Sequence, residues 1–591
     1  MPAREAGAGP TRATGPVIAP TLGRSVPRWV LPQPVATSDV AALSDALHLP
    51  EPLCRLLCAR GYGEVEAAKR FLRPRFDQLH DPSLMRDLDT AVERLAVAIA
   101  RGETIMVHGD YDVDGMATTA LLVRALGGMG ARVVPFIPRR IEDGYDLSSA
   151  GVEAARACGA QLVLTADCGT NARAAVAELR AAGIDAIVSD HHLPGGPLPE
   201  CVAVLNPKRE GCAYPDKDLA AAGVAFKLAL ALARRLGMSE APVLALLDLV
   251  ALATVADVAP LRGENRVFVR YGLRLLADSR NLGLQAMLRA AGLEGKPVTA
   301  GRVGFILAPR LNAVGRLGHG LRGVELLTTL DAPEAARLAR DFEELNRRRQ
   351  EMDRETLAQA IERVERLPLD ETYGIVLADE RWHPGVIGIV ASRLVEMYGR
   401  PTVLIALSGG EGRGSGRSIS AFDLYGGLAS CREHLIRFGG HRVAAGVTVA
   451  SASVEAFAAR FNAVARAQLS PTDLAGEVRV DLEVELADVT GEIEAMLRHF
   501  EPFGVGNPTP AFLARGLRVA APPRRIARDG LRLRLSGTGA GGSDIEALAW
   551  GAADRAGELD GARPVDVVFR IERDEWQRHS RLQARITDFH V

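Results

Sequence analysis

Between residues 104 and 205, short apolar runs at 105–107, 133–137, 162–165, 186–189 and 202–205 alternate with Ala- and Leu-rich stretches of helical length. This alternation constrains the fold more than any other feature, because parallel strands must be joined by crossovers long enough to hold a helix. An α/β domain with a parallel sheet is therefore expected over residues 85–330. Polar residues that follow strands in such a sheet collect outside its carboxyl edge. The first run leads into His108, the third into Asp167 and the fourth into Asp190, where a site should lie.

The remainder divides by pattern. A chain of 591 residues exceeds what one core supports, so several domains are expected. Residues 1–40, rich in Gly, Pro, Ala, Arg and Thr near the start, lack the apolar core of a secretory signal and read as a disordered tail. Leu43, Leu47, Leu53, Leu56 and Leu57 mark a helical lead-in over 41–84. Ala335, Leu338, Phe342, Leu345, Met352, Leu357, Ile361 and Val364 lie on one face of a long amphipathic connector helix over 331–369, which Pro368 ends. A second, smaller α/β domain is expected over 370–469. Over 470–591, alternating segments at 478–486, 531–535, 565–571 and 582–586 predict an all-β barrel of OB type.

Composition excludes some classes. No apolar run approaches the ~20 residues that would span a bilayer, so a soluble protein without membrane contact is expected. Seven cysteines without a Cys-x-x-Cys pair suit a reducing cytoplasm rather than a disulfide framework or zinc ribbon. A net charge of −2 limits any nucleic-acid interface to a local basic groove.

The chemistry is concentrated in four clusters. His108-Gly109-Asp110-Tyr111-Asp112-Val113-Asp114 packs an imidazole and three carboxylates directly after a strand. Burying so many anions is costly unless a cation neutralises them. An Asp-rich loop alone reads equally well as a helix-capping turn, but Asp167, the Asp190-His191-His192 run and Asp257 converge on the same sheet edge. Carboxylate and imidazole ligands without thiolate suit Mn²⁺ or Mg²⁺, and this many acids suit two ions. Two-metal sites favour in-line phosphodiester hydrolysis. A Gly-x-Gly-x-x-Gly turn is absent after the first strand and no Gly-x4-Gly-Lys-[Ser/Thr] occurs, which argues against dinucleotide binding and ATP-driven motor activity.

These residues resemble the DHH phosphoesterase superfamily, whose name-giving motif stands here as Asp190-His191-His192. The resemblance implies that His108, Asp112, Asp114, Asp167, His191 and Asp257 hold the two metals, with Asp110 and His192 orienting ligands or moving protons. It also implies a DHH catalytic domain and a smaller DHHA1-type domain joined by the long helix. Segments at 109–118, 308–316, 381–388, 412–418 and 438–441 are similar to the RecJ branch of that superfamily, a match running from about residue 53 to the barrel. Where the family often shows Gly-Tyr-Gly, this chain has Gly144-Tyr145-Asp146.

For substrate, Arg310, Asn312 and Arg316 are candidate phosphate ligands beside the metals. Arg413, Ser415, Arg417 and Ser418, with the glycine amides between them, are candidates to hold a 5′-phosphate or successive phosphates. By resemblance, His441 faces the metals across a cleft and contacts the scissile phosphate. In the barrel, Arg515, Arg518, Arg524, Arg525, Arg528, Arg532 and Arg534, near Phe503 and Phe512, suit a platform for single strands. The resemblance implies single-strand-specific 5′-to-3′ DNA exonuclease activity releasing mononucleotides. The resemblance further implies a setting in recombination and repair alongside a single-strand-binding protein and a helicase, and a monomer is expected. Two alternatives are hydrolysis of short oligonucleotides, cyclic dinucleotides or pyrophosphate, and a non-catalytic single-stranded-DNA-binding scaffold.

Overall fold

In the computed structural model, which describes residues 27–526, 529–537, 543–559, 561, 563–574 and 581–591, the five apolar runs are strands of one parallel sheet. Their spatial order is Arg132–Phe136, Thr104–Gly109, Leu162–Ala166, Asp185–Ser189, Ala203–Leu205. The two strands at Thr104–Gly109 and Leu162–Ala166 are buried throughout, as strands covered on both faces are. Helices Val113–Gly128, Ala221–Arg235 and Leu247–Ala256 share one large core with them. The last carries no polar stripe and buries eight of its ten residues, so it is a core helix and its polar end can emerge only where the core stops, at Asp257.

The chain forms two compact units. One comprises Glu64–Arg354 and Arg498–Thr509; the other comprises residues 27–63, Glu355–Leu497 and Pro510–Val591. The connector is a single helix, Ala332–Val364, as expected.

In the second unit, one sheet has the order Arg437–Gly440, Ala444–Ala450, Glu411–Arg417, Thr402–Ser408, Ile375–Asp379. Only its last two strands are parallel; the rest pair antiparallel. The glycine-rich run expected to be a phosphate-cradling loop is thus an interior strand, and its amides are committed to ladders on both sides. The alternation explains the glycines. A Cβ on Gly412 would stand 2.4 Å from Ile405, on Gly414 2.4 Å from Val447 and on Gly416 3.0 Å from Leu424, so the face against the core admits no side chain.

The C-terminal sheet has seven strands, three more than the sequence pattern suggested. Phe512–Val519 pairs with both Val565–Asp574 and Gly530–Ser536, closing the five-stranded ring of an OB barrel. Three expectations need correction. The tail does not extend to residue 40: Arg28–Val30 pairs in parallel with Glu477–Arg479, Trp29 stacks on His590 at 3.9 Å, and a helix begins at Thr37. Residues 1–26, on which the rest of that expectation falls, lie outside the described residues. The lead-in is divided, since Thr37–Leu47 and Glu51–Ala59 belong to one unit and Val65–Leu72 to the other. The C-terminal region is also interrupted, because Arg498–Thr509 belongs to the unit that holds the parallel sheet. Among the described residues, no helix is long and apolar enough to cross a membrane.

Gly414→Val should lower the stability of the sheet that contains it by about 1–3 kcal/mol, the usual cost of overpacking. Thermal unfolding identical to wild type would contradict the packing described for that face.

Candidate metal centre

His108 is the penultimate residue of the first strand, its ring fully buried against Phe136, with Nδ1 3.5 Å from Cys168 Sγ. The chain then turns through Asp110 and Tyr111, and Asp112 caps the helix Val113–Gly128 by accepting the Gly115 N–H at 3.0 Å. The capping-turn reading is therefore correct for Asp112 but incomplete. Asp114, in the first turn, accepts from Thr118 Oγ1 at 3.0 Å and from the Ala221 and Ala222 amides at 2.9 and 3.0 Å, at the start of a second helix. Two helix N-termini thus face these two acids.

Asp167 follows the third strand with φ +74°, a left-handed conformation that only a well-determined surrounding sustains in a residue bearing a Cβ. Its Oδ1 lies 3.2 Å from His191 Nε2. The same nitrogen lies 3.8 Å from Asp257 Oδ2 and 3.9 Å from Asp114 Oδ2. Asp190 itself turns away: its Oδ1 accepts from the His191 and His192 amides and lies 2.8 Å from His192 Nδ1, while its Oδ2 accepts from Thr170 N. In the Asp-His-His run, the acid fixes the two imidazoles.

Three groups of donor atoms result, each with its atoms within 4.8 Å of one another: Asp167, His191 and His192; Asp114, His191 and Asp257; Asp110, Asp112 and Asp167. Asp110 and His192 therefore stand beside the acids themselves. His108 falls in none of the three groups; its Nε2 abuts Gly151, where a Cβ would come within 2.7 Å.

The electrostatics are those of anions lacking a counter-charge. Burial, then the neighbouring carboxylates, raises Asp257 to about 8, Asp114 to about 6, and Asp110 and Asp167 well above the usual carboxylate range. Burial favours neutral Asp190 too, yet the hydrogen bond and charge of His192 outweigh it and hold that carboxyl well below its ordinary value. Although burial opposes the charge, Asp190 raises His192 to about 9, while burial and His192 push His191 down to about 3. Asp110 Oδ1, Asp167 Oδ1 and His191 Nε2 are buried without a hydrogen-bond partner. Neutral imidazole and several carboxylate oxygens left unsatisfied at one place fit a hard divalent cation.

A cavity of about 320 Å³ opens on the acids and is lined also by Tyr111, Arg140, Tyr145, Asn312 and Arg316. Gly315 permits this, since a Cβ there would stand 1.9 Å from the Tyr111 carbonyl. Arg310, expected among the phosphate ligands, is turned elsewhere. Its Nε and Nη2 donate to both Glu343 oxygens at 2.6 and 3.1 Å, and its Nη1 donates to the Ile306 carbonyl. Sequence reasoning passed over Arg140, whose guanidinium lies 4.9 Å from the Tyr111 ring centre. The signal was present, because Arg140 follows the second strand as Asp110 follows the first.

In the other unit, Arg413, Ser415 and Arg417 share the strand face opposite the glycines. Arg417 Nη1 donates to Ser415 Oγ at 3.0 Å. A Cβ on Gly388, in the first turn of helix Ile387–Tyr398, would lie 2.9 Å from that Oγ and 3.1 Å from Arg417 Nη2. Ser418 departs from expectation, with its hydroxyl donating to the Phe422 carbonyl. His441 is exposed in the turn before Ala444–Ala450. The barrel platform is weaker than expected: Phe512 is core, 6.1 Å from Phe569, and Arg515, Arg532 and Arg534 pair with Glu483 and Asp566, Glu546, and Asp544. Arg518, Arg524 and Arg525 are exposed, and Arg528 lies outside the described residues.

Residues 104–254 match the DHH family N-terminal domain, 371–467 the DHHA1 domain and 480–588 the RecJ OB domain. The single-stranded-DNA-specific exonuclease RecJ of Bacillus subtilis (strain 168) is 36% identical over 567 residues, covering 95% of this chain and 70% of that protein. The chain belongs to the RecJ family. Crystal structures of RecJ from Thermus thermophilus in complex with Mn²⁺ and with Mg²⁺ superpose with TM-scores of 0.81 and 0.76 at 34% and 32% identity. Each covers 95% of this chain, and 79% and 78% of the respective solved chains. Against the RecJ pattern, the departure at Asp146 has a local account. Its φ is +73°, where glycine is the natural occupant, and its Oδ1 accepts from Gly169 N at 2.7 Å, tying the turn to the loop after Asp167. Tyr145 is thereby held with its hydroxyl 3.0 Å from His192 Nε2.

In metal-free protein, the pH range from about 4 to 9 spans two groups whose folded values lie above their ordinary ones, Asp257, raised from 3.8 to about 8, and His192, raised from 6.5 to about 9. The folded state then binds more protons than the unfolded, so stability should fall as pH rises through this window. Asp257→Asn should flatten the fall, as followed by melting temperature in chelator.

Proposed function

We propose that this chain is a metal-dependent exonuclease that removes 5′-mononucleotides from the 5′ end of single-stranded DNA during recombination and repair in the cytoplasm. The observation that carries the reading is the convergence of Asp110, Asp112, Asp114, Asp167, His191, His192 and Asp257 into three overlapping donor groups, in a chain that also carries a closed OB barrel. The relatives named above are called single-stranded-DNA-specific exonucleases, and the Thermus protein was solved with Mn²⁺ and with Mg²⁺. His108, Asp112, Asp114, Asp167, His191 and Asp257 would hold two Mn²⁺ or Mg²⁺ ions, with Asp110 and His192 beside them. When bound, such ions supply a hydroxide nucleophile and stabilise the attacking and leaving oxygens of an in-line displacement.

The chain's own side chains do the rest. Arg316, Asn312 and Arg140, which line the cavity, would bind the scissile phosphate and the one following it. His192, held cationic by Asp190, would present a proton from Nε2 to the departing 3′-oxygen, with the Tyr145 hydroxyl fixing the ring. Arg417 and Ser415, at the first turn of helix Ile387–Tyr398, would bind the 5′-phosphate, with Arg413 on the same strand face. Exposed Arg518, Arg524, Arg525 and His441 would contact the single-stranded DNA. The protein would act as a monomer on strands delivered by a helicase and a single-strand-binding protein.

End-labelled single strands and blunt duplexes, digested with Mn²⁺, Mg²⁺ or chelator, test the reading. Mononucleotide release is expected only from the 5′ end of single strands and only with metal. Asp167→Ala should lower turnover about 10⁴-fold, equivalent to ~5.5 kcal/mol. Intact long strands alongside cleaved dinucleotides or pyrophosphate would keep the metal chemistry and reject the polymer substrate. Arg417→Ala should raise KM for 5′-phosphorylated strands about tenfold, with a smaller change for 5′-hydroxyl strands; equal effects on both would remove the 5′-phosphate assignment.

A further inference from the structure

Arg498–Thr509 belongs to the same unit as the acidic centre, although its sequence neighbours on both sides belong to the other. The segment is tightly made. Gly504 and Asn507 exchange both backbone hydrogen bonds, and the buried Asn507 amide donates to the Phe500 and Pro502 carbonyls at 2.7 and 2.8 Å. Arg266, 3% exposed, lies over the Phe71 ring at 3.9 Å and donates from Nη2 to the Phe500 and Glu501 carbonyls at 2.9 Å each.

The outer side of this turn meets the loop that begins at Asp257. Leu261 N donates to the Val505 carbonyl at 2.7 Å, and Arg262 Nε donates to the Gly506 carbonyl at 2.7 Å. Gly506 has φ +74°, and a Cβ on it would stand 3.1 Å from Pro260. Between Asp257 and Leu261 the chain reverses through Val258 at φ +62°, a conformation costly for a β-branched residue. Val258 itself is 61% exposed, so its own side chain does little to hold that turn. At the near end the Val258 and Ala259 amides donate to the Val255 and Thr254 carbonyls at 3.3 and 3.2 Å, closing helix Leu247–Ala256; the far end is fixed by the contacts at Leu261 and Arg262 and by Asn265 Nδ2, which donates to the Pro260 carbonyl at 3.1 Å.

We infer that residues 501–507 form a positioning strap that holds the Asp257 turn in its strained conformation, so that divalent-metal affinity depends on this distant segment. The inference rests on the reading of Asp257 as a metal ligand. Groups that orient a ligand typically contribute about 10- to 100-fold to metal affinity.

The test uses the full chain, stripped of metal and titrated with Mn²⁺ by calorimetry, with hydrogen–deuterium exchange followed over residues 256–263. Gly506→Ala places a Cβ at a left-handed position against Pro260 while leaving every ligand intact. Gly237→Ala, at φ +66° with nothing within 4 Å of the added Cβ, imposes the same backbone penalty elsewhere in the unit. Gly506→Ala should bind Mn²⁺ roughly tenfold more weakly, exchange faster over 256–263, and lose kcat with KM for single-stranded DNA within about twofold of wild type. Gly237→Ala should match wild type in all three. Arg262→Ala, which removes one exposed side-chain contact, should show the same direction with smaller size even if Gly506→Ala does not fold. Wild-type-like Mn²⁺ affinity and exchange in a folded Gly506→Ala or Arg262→Ala protein would overturn the strap. Absence of Mn²⁺ binding by the wild type would overturn the metal reading itself and this inference with it.

Discussion

Repulsion among carboxylates brought to one sheet edge is the constraint on which the rest of this protein depends. Asp110, Asp112, Asp114, Asp167 and Asp257 arrive from the turn after the first strand, the turn after the third and the end of a core helix. A folded chain tolerates such a cluster only where dipoles and cations oppose it. Two helix N-termini face Asp112 and Asp114, and Asp190 holds a cationic imidazole at the margin. What these devices leave unbalanced is a demand for divalent charge, which makes the sheet edge a site as well as a structural boundary.

The parallel sheet, the order of its strands' polar termini and the connector helix were legible because each rests on local signals: apolar runs of strand length, helical spacing and a terminating proline. The acidic centre was legible for the same reason, since its members follow strands that could be read one at a time. Arg140 follows the second strand by the same rule, but it stands in a mixed run, Arg139-Arg140-Ile141-Glu142-Asp143, whose alternating charges read as an ordinary solvated turn. Arg310 shows the converse, for its sequence neighbourhood suggests phosphate while Glu343, a full helix away, claims it. Pairings between distant positions leave no local trace.

The same limit explains the glycine-rich strand and the ends of the barrel. Glycine is rare in strand interiors, so Glu411–Arg417 reads as a loop until Ile405, Val447 and Leu424 are seen to fill the space its side chains would need. The short strand at Arg28–Val30 exists only through its partner at Glu477–Arg479, and Arg498–Thr509 joins the parallel-sheet unit through carbonyls that Arg266 reads irrespective of sequence.

The strand that carries Arg413, Ser415 and Arg417 roots the three side chains on one face at a fixed backbone pitch, about 6.8 Å between successive Cα atoms along an antiparallel ladder. A loop bearing the same residues would have to surrender its freedom each time it met a ligand; here that ordering was completed when the sheet formed. The Arg417 guanidinium, resting on Ser415 Oγ, shares in that fixed frame. The glycines, by leaving the opposite face to Ile405, Val447 and Leu424, are thus what lets one strand be core on one side and a row of polar side chains on the other.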